Sequence, residues 1–308
     1  MTAYIARRLL WAIPSLLVVY TLTFVLIHAT PGGPWDQSEK PLPANIIANL
    51  NQQYHIDDPL WKQYVAYLWN ALHGDLGPSY RSMDRDVSTI IRESLPVSLQ
   101  LGLAAMLLAL LISVPLGVIA AVKQNTWIDF AASFAAVIGL ATPPFVRVAL
   151  LIVLFSLTLR WLPTGGWGGL LNARSIIPVV ALGVGPGAVL SRYVRSSLLE
   201  VIRMDYTRTA RAKGLHEIDI VVRHALRNAL IPVTTVTGVT LVNLIVGSFF
   251  VEQLYDVPGI GRQFVGAVSG RDYPLIMGTV LLFAVLITAM NLAIDVGYAF
   301  LDPRIRYQ

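Results

Sequence analysis

Residues 205–232, DYTRTARAKGLHEIDIVVRHALRNALIP, form a charged island between long apolar runs. With such runs on both sides, this stretch cannot belong to a soluble core and reads as a loop returned to water between two membrane spans. Its internal pattern is helical. Asp205 suits the cap of a first short helix through Lys213, Gly214 suits a left-handed stop, and residues 217–229 suit a second helix. A rigid, basic helix–break–helix unit is fitted to dock a partner at the membrane surface.

Outward from this loop the chain is mostly oil. Of 308 residues 55% are hydrophobic and 13% charged, against about 25% charged in soluble domains, which makes this a polytopic membrane protein. Lys and Arg outnumber Asp and Glu by 23 to 18, but the surplus flanks the spans and forms no separate basic face of the kind nucleic acid requires. The absence of cysteine excludes disulfides, thiolate metal sites and cysteine nucleophiles.

Six spans are expected, at residues 9–27, 97–122, 130–159, 176–199, 229–251 and 275–301. Each is long enough for a hydrocarbon layer of ~30 Å at ~1.5 Å per residue. The third is interrupted by Thr142-Pro143-Pro144 and carries Arg147; the fourth is weakened by Gly183, Gly185, Pro186 and Gly187. Three segments follow: a first span in 1–30, an extracytoplasmic loop with amphipathic helices in 31–95, and a five-helix core in 96–308 that includes the 205–232 loop. In the outer loop Leu60, Tyr64 and Leu68 share one helical face, and the surrounding Trp and Tyr residues suit a helix lying on the interface or a docking surface for an external protein.

The positions of Lys and Arg set the orientation. Arg7 and Arg8, Lys123, the cluster from Arg192 to Arg227, and Arg304 with Arg306 fall on one side. The long first loop holds Lys40, Lys62, Arg81, Arg85 and Arg92 against eight acids. Both termini are therefore expected in the cytoplasm.

Catalytic chemistry is missing from the pattern. No Gly-x-x-x-x-Gly-Lys-[Ser/Thr] phosphate loop occurs, and none of the four lysines follows a glycine. The histidines at 28, 55, 73, 216 and 224 lack metal-pair spacing, and there is no Gly-x-Ser-x-Gly elbow.

The loop also carries a resemblance. Thr209-Ala210 and Gly214, followed by Leu226, resemble the EAA-type loop of the membrane subunits of binding-protein-dependent ABC importers, and 206–215 with 223–228 are similar to the oligopeptide and dipeptide permease branch. Arg208 stands where that family often has Glu, and Arg227 where it often has Pro. Further similarity lies in Gly74-Asp75-Leu76-Gly77 with Ser79, in Leu95-Pro96-Val97-Ser98-Leu99, in Glu252, Tyr255 and Pro258-Gly259-Ile260-Gly261, in Arg271-Asp272-Tyr273, and in Asn291, Asp295, Tyr298 and the tail 302–307. Pro31-Gly32-Gly33-Pro34 resembles the family's Pro-Gly-Asp-Pro, with Gly33 in place of the acid.

The resemblance implies an all-α permease of six spans, of the type I importer kind, in a bacterial inner membrane. It implies a second homologous permease as heterodimer partner, two ATPase subunits binding ATP and Mg, an extracytoplasmic substrate-binding protein, and di- or oligopeptide cargo. Nickel chelates, glutathione and oligosaccharides are carried within the same branch. The competing class is an ion- or proton-coupled secondary transporter, which needs paired intramembrane acids or matched broken helices. A membrane-embedded enzyme ranks below it for want of a catalytic constellation.

Two groups of residues are singled out. Asp205, Tyr206, Arg208, Thr209, Ala210, Arg211, Lys213, Gly214 and Leu215 are assigned to ATPase coupling, with Ala210 and Ala212 permitting close approach and the basic residues setting register. Against this stands an ordinary topology-fixing loop. Arg147, Pro143, Pro144, Pro186 and Asn243 are assigned to the pathway or its gating. For Arg147 a snorkelling or interhelical role is preferred to contact with a substrate carboxylate. Asp295 is expected to pair with an inner-loop arginine, and Asn243 and Asn291 serve equally as interhelical hydrogen-bonding groups.

Overall fold

A computed structural model describes residues 2–35, 43–82 and 84–301. In chain order its helices are α1 (Thr2–Ala29), α2 (Ala44–Gln53), α3 (Leu60–Leu72), α4 (Val87–Val122), α5 (Trp127–Ala141), α6 (Pro144–Leu151), α7 (Ile176–Ile202), α8 (Asp205–Ala212), α9 (Glu217–Asp219), α10 (Leu226–Val246), α11 (Phe249–Tyr255), α12 (Ile260–Gly270) and α13 (Tyr273–Leu301). π-Helical segments follow α6 at Ile152–Thr158 and α9 at Ile220–Ala225. Among the described residues there is no strand, only an isolated antiparallel bridge between Pro78 and Asp86. The fold is all-α.

Among the described residues five helical stretches are long and apolar enough to cross a membrane: Tyr4–Ala29, Val87–Val122, Ala173–Ile202, Glu217–Val246 and Tyr273–Gly297. The expected third span is two helices, Trp127–Ala141 and Pro144–Thr158, bent by 101°; taken as one span they bring the number to six. Proline chemistry makes the break. Thr142 is extended (φ −87°, ψ 117°), as a residue before proline prefers, and Pro144 opens α6 at the first-turn position, where its missing N–H costs nothing.

Three expectations are corrected here. The helix begun at Glu217 does not stop near Ala229 but runs through the π segment to Val246, because Pro232 in its interior is not accompanied by a glycine stop. The fifth span ends at Val246, five residues early, and α11 restarts at Phe249. Asp205 is not the cap of α8: Met204 holds that position, and Asp205 is the first helical residue, paired with Arg208 at 3.6 Å. The tail 302–307 and Lys40 lie outside the described residues.

The chain divides into two compact units, Met1–Val97 with Pro258–Thr288 and Ser98–Val257 with Ala289–Gln308. In the first, Tyr20, Phe24 and Met277 form a core against which Tyr64, Tyr67 and Leu68 pack. Leu60, expected on the same face as Tyr64 and Leu68, is instead 54% exposed. It occupies the first residue of α3, ahead of the stretch that meets α1. Buried Asp272 accepts from the Ser79 hydroxyl at 2.5 Å. Burial and that carboxylate push the neighbouring Tyr80 phenol up from its ordinary range, so Tyr80 stays neutral.

In the second unit the α7 glycines decide the packing. A Cβ on Gly183 would stand 2.7 Å from the Ala105 carbonyl, and one on Gly187 3.2 Å from the Ala109 backbone. Four residues apart, they let α4 and α7 approach as small residues do between membrane helices. Gly117 does the reciprocal work on α4, facing Val194 and the Ser191 carbonyl at 2.6 Å. Below this crossing Ala121, Leu198, Val201, Val221, Ala225 and Ala229 form one buried cluster, which seats the 217–246 helix against the ends of α4 and α7.

Candidate coupling element and translocation cavity

α8 follows the end of α7 after a two-residue turn. Thr207 and Ala210, three residues apart and so on one face, are both buried. The Thr207 hydroxyl lies 2.9 Å from the Ile202 carbonyl and 3.2 Å from that of Val201, the last turn of α7, and serves those orphan acceptors. The opposite face is open: Arg208, Thr209, Arg211, Ala212 and Lys213 are exposed. Of the two alanines read as contact residues, Ala212 is available and Ala210, at 7% exposure, faces its own chain.

Gly214 ends the helix with φ +77°, the left-handed geometry that glycine adopts without steric cost. Two contacts then tie α8 to the next helix. Arg211 pairs with Glu217 through Nε at 3.1 Å and Nη2 at 2.5 Å, and the Asn228 side-chain amide donates to the Tyr206 hydroxyl at 2.9 Å. Leu215 is exposed, its N–H reaching back to the Ala210 carbonyl at 3.4 Å.

A second feature of the same unit gathers the other residues singled out. Pro143, Pro144, Arg147, Pro186 and Asn243, from three separate helical regions, all line one cavity of about 370 Å³. The Arg147 side chain reaches toward neighbouring helices. Its Nη1 donates to the Gly139 carbonyl at 3.1 Å, and the guanidinium rests on Gly185, where a Cβ would come within 2.4 Å of Nη1. Arg147 thus contacts α5 and α7 from a place in the cavity wall.

Two polar contacts escaped sequence reasoning. Asp129, 3% exposed, accepts from Arg195 Nε and Nη2, both at 2.6 Å, and from the Asn125 backbone N–H at 3.0 Å. This two-pronged pair clasps α5 to α7. Arg195 had passed as a topology-setting residue, and nothing in a 66-residue separation marks its partner. Glu252, fully buried, accepts from Ser98 at 2.7 Å and Ser248 at 2.5 Å. Its signal was an acid beside an apolar run, visible without its partners.

Residues 113–307 match the model of the family described as binding-protein-dependent transport system inner membrane component, and residues 1–102 match that of its N-terminal region. The chain belongs to this family. Over its full length this permease is 43% identical to the oligopeptide transport system permease protein OppB of Salmonella typhimurium, with 100% of both chains covered. It is 41% identical to the dipeptide transport system permease protein DppB of Bacillus subtilis, covering 99% of this chain and 98% of the relative. Among solved structures it resembles the MetNI methionine ABC transporter in inward-facing conformations, with TM-scores of 0.59 and 0.54 in two crystal forms. Identity is 19% in both, over 69% of this chain and 96% of the other. That likeness bears on the fold, which is that of an ABC-importer permease. The chain is a multi-pass inner-membrane transport component of the OppB/DppB branch.

Proposed function

We propose that this permease forms half of the translocation pathway of an importer for di- or oligopeptides, working as a heterodimer with a second homologous permease. Two ATPase subunits, which hold the ATP and Mg, drive it from the cytoplasm, and an extracytoplasmic binding protein delivers the cargo. Both termini lie inside. The observation that carries this reading is the full-length relationship to OppB and DppB chains.

Geometry supports the division of labour. α8 presents an exposed basic face while its other face is locked to α7 and its end to the 217–246 helix, so a push on α8 has nowhere to dissipate locally. Coupling then runs from the ATPase to α8, from α8 to the spans, and from the spans to the cavity around Arg147, between at least two states biased by nucleotide. The test is reconstitution of the whole complex in proteoliposomes with its binding protein. Uptake of a labelled tripeptide is expected to require ATP; uptake driven by an ion gradient alone, without nucleotide, would overturn the proposal.

A further inference from the structure

The cavity of the second unit has a one-sided electrostatic character. Arg147 is a cation within a membrane-crossing segment, where an unpaired charge is expensive and marks function. Among the described residues no carboxylate pairs with it: its Nη1 meets only the Gly139 carbonyl, and its Nε is buried with no hydrogen-bond partner. Among the described residues that line the cavity there is no Asp or Glu. The N-terminus of α6, capped by no side chain and opened by Pro143 and Pro144, lies in the same wall and adds the positive end of a helix. Asn243 contributes an exposed side-chain amide from α10. A guanidinium, a helix N-terminus and an amide around one space of about 370 Å³ make a site suited to an anion.

We propose that this site takes a carboxylate, and that the carboxylate is the C-terminal group of the peptide being carried. Arg147 is the reading cation. Its guanidinium matches a planar carboxylate, and its seat on Gly185 fixes the ring of donors before the cargo arrives. Gly185 belongs to the site because a side chain there would occupy the place of the guanidinium. The inference rests on the importer reading above and adds to it the part of the cargo that the membrane subunit recognises. The other source of the same chemistry is an acidic side chain of the second permease.

The experiment uses the complete complex in lipid nanodiscs without binding protein, probed with radiolabelled trialanine and with trialanine C-terminal amide. The wild-type complex is expected to bind the acid about tenfold more tightly than the amide, the size of a charge-assisted contact. In Arg147→Gln that ratio falls to about one, and in Arg147→Lys it lies between. A wild-type ratio near one, a ratio unchanged in Arg147→Gln, or no measurable binding of either peptide overturns the proposal. A ratio near one together with loss of the second permease from Arg147→Gln complexes assigns the carboxylate to that subunit instead. ATP-driven uptake by the wild-type complex, measured in parallel, reports separately on the importer reading.

Discussion

Gly214 shows what a single position contributes. A Cβ there would meet nothing within 4 Å, so any substitution acts through the left-handed backbone alone, at roughly 1–2 kcal/mol for an ordinary side chain. Gly214→Leu is expected to reduce uptake per ATP hydrolysed while the subunit still inserts and assembles. Gly214→Asn is expected to retain most coupling, because Asn tolerates that conformation. Equal transport by Gly214→Leu and wild type, measured with the ATPase rate in the same vesicles, would remove α8 termination from the mechanism. This glycine was legible from sequence, since a glycine after a short basic helix has few other uses. Arg147 was legible as unusual but not as to its direction, which depends on a 101° bend that no residue count supplies.

Between elements the contacts divide into those set by shape and those set by charge. Gly183 and Gly187 bring α7 against α4, and Gly183→Ala is expected to cost about 1–3 kcal/mol through overpacking, read as a lower melting temperature of the purified complex. Gly266, whose Cβ would meet nothing within 4 Å in a helix of ordinary φ, is the control: Gly266→Ala should be neutral or slightly stabilising. Asp129→Asn leaves Arg195 without its carboxylate. Arg195 remains 27% exposed, so the cost is expected near ~2 kcal/mol, below the ~3–5 of a fully buried pair. The double exchange Asp129→Arg with Arg195→Asp should recover part of it in a thermal-stability assay; no recovery would argue that orientation, not charge, holds α5 to α7. Apolar length revealed the spans and Thr142-Pro143-Pro144 the break in the third, but neither its 101° bend nor the merging of the 217–229 helix with the fifth span could be counted from residues.

For the whole molecule the first question is which way it faces. The chain contains no cysteine, so single cysteines introduced at Arg208 and Trp69, both exposed, report topology against an empty background. A membrane-impermeant maleimide applied to intact spheroplasts is expected to label the residue-69 variant and not the residue-208 variant, with the reverse in inside-out vesicles. The opposite pattern would invert the chain and separate α8 from any cytoplasmic motor.

The unbroken helix from Glu217 to Val246 sets a mechanical ratio. Asn243 stands 26 residues from the end tied to α8, or about 39 Å away at ~1.5 Å per residue. A tilt of about 10° pivoting at that end therefore sweeps Asn243 through about 7 Å, while the Arg211–Glu217 contact at the pivot hardly stirs. Under the proposed coupling, a small rotation at the α8 end would become a displacement the size of a side chain beside Arg147.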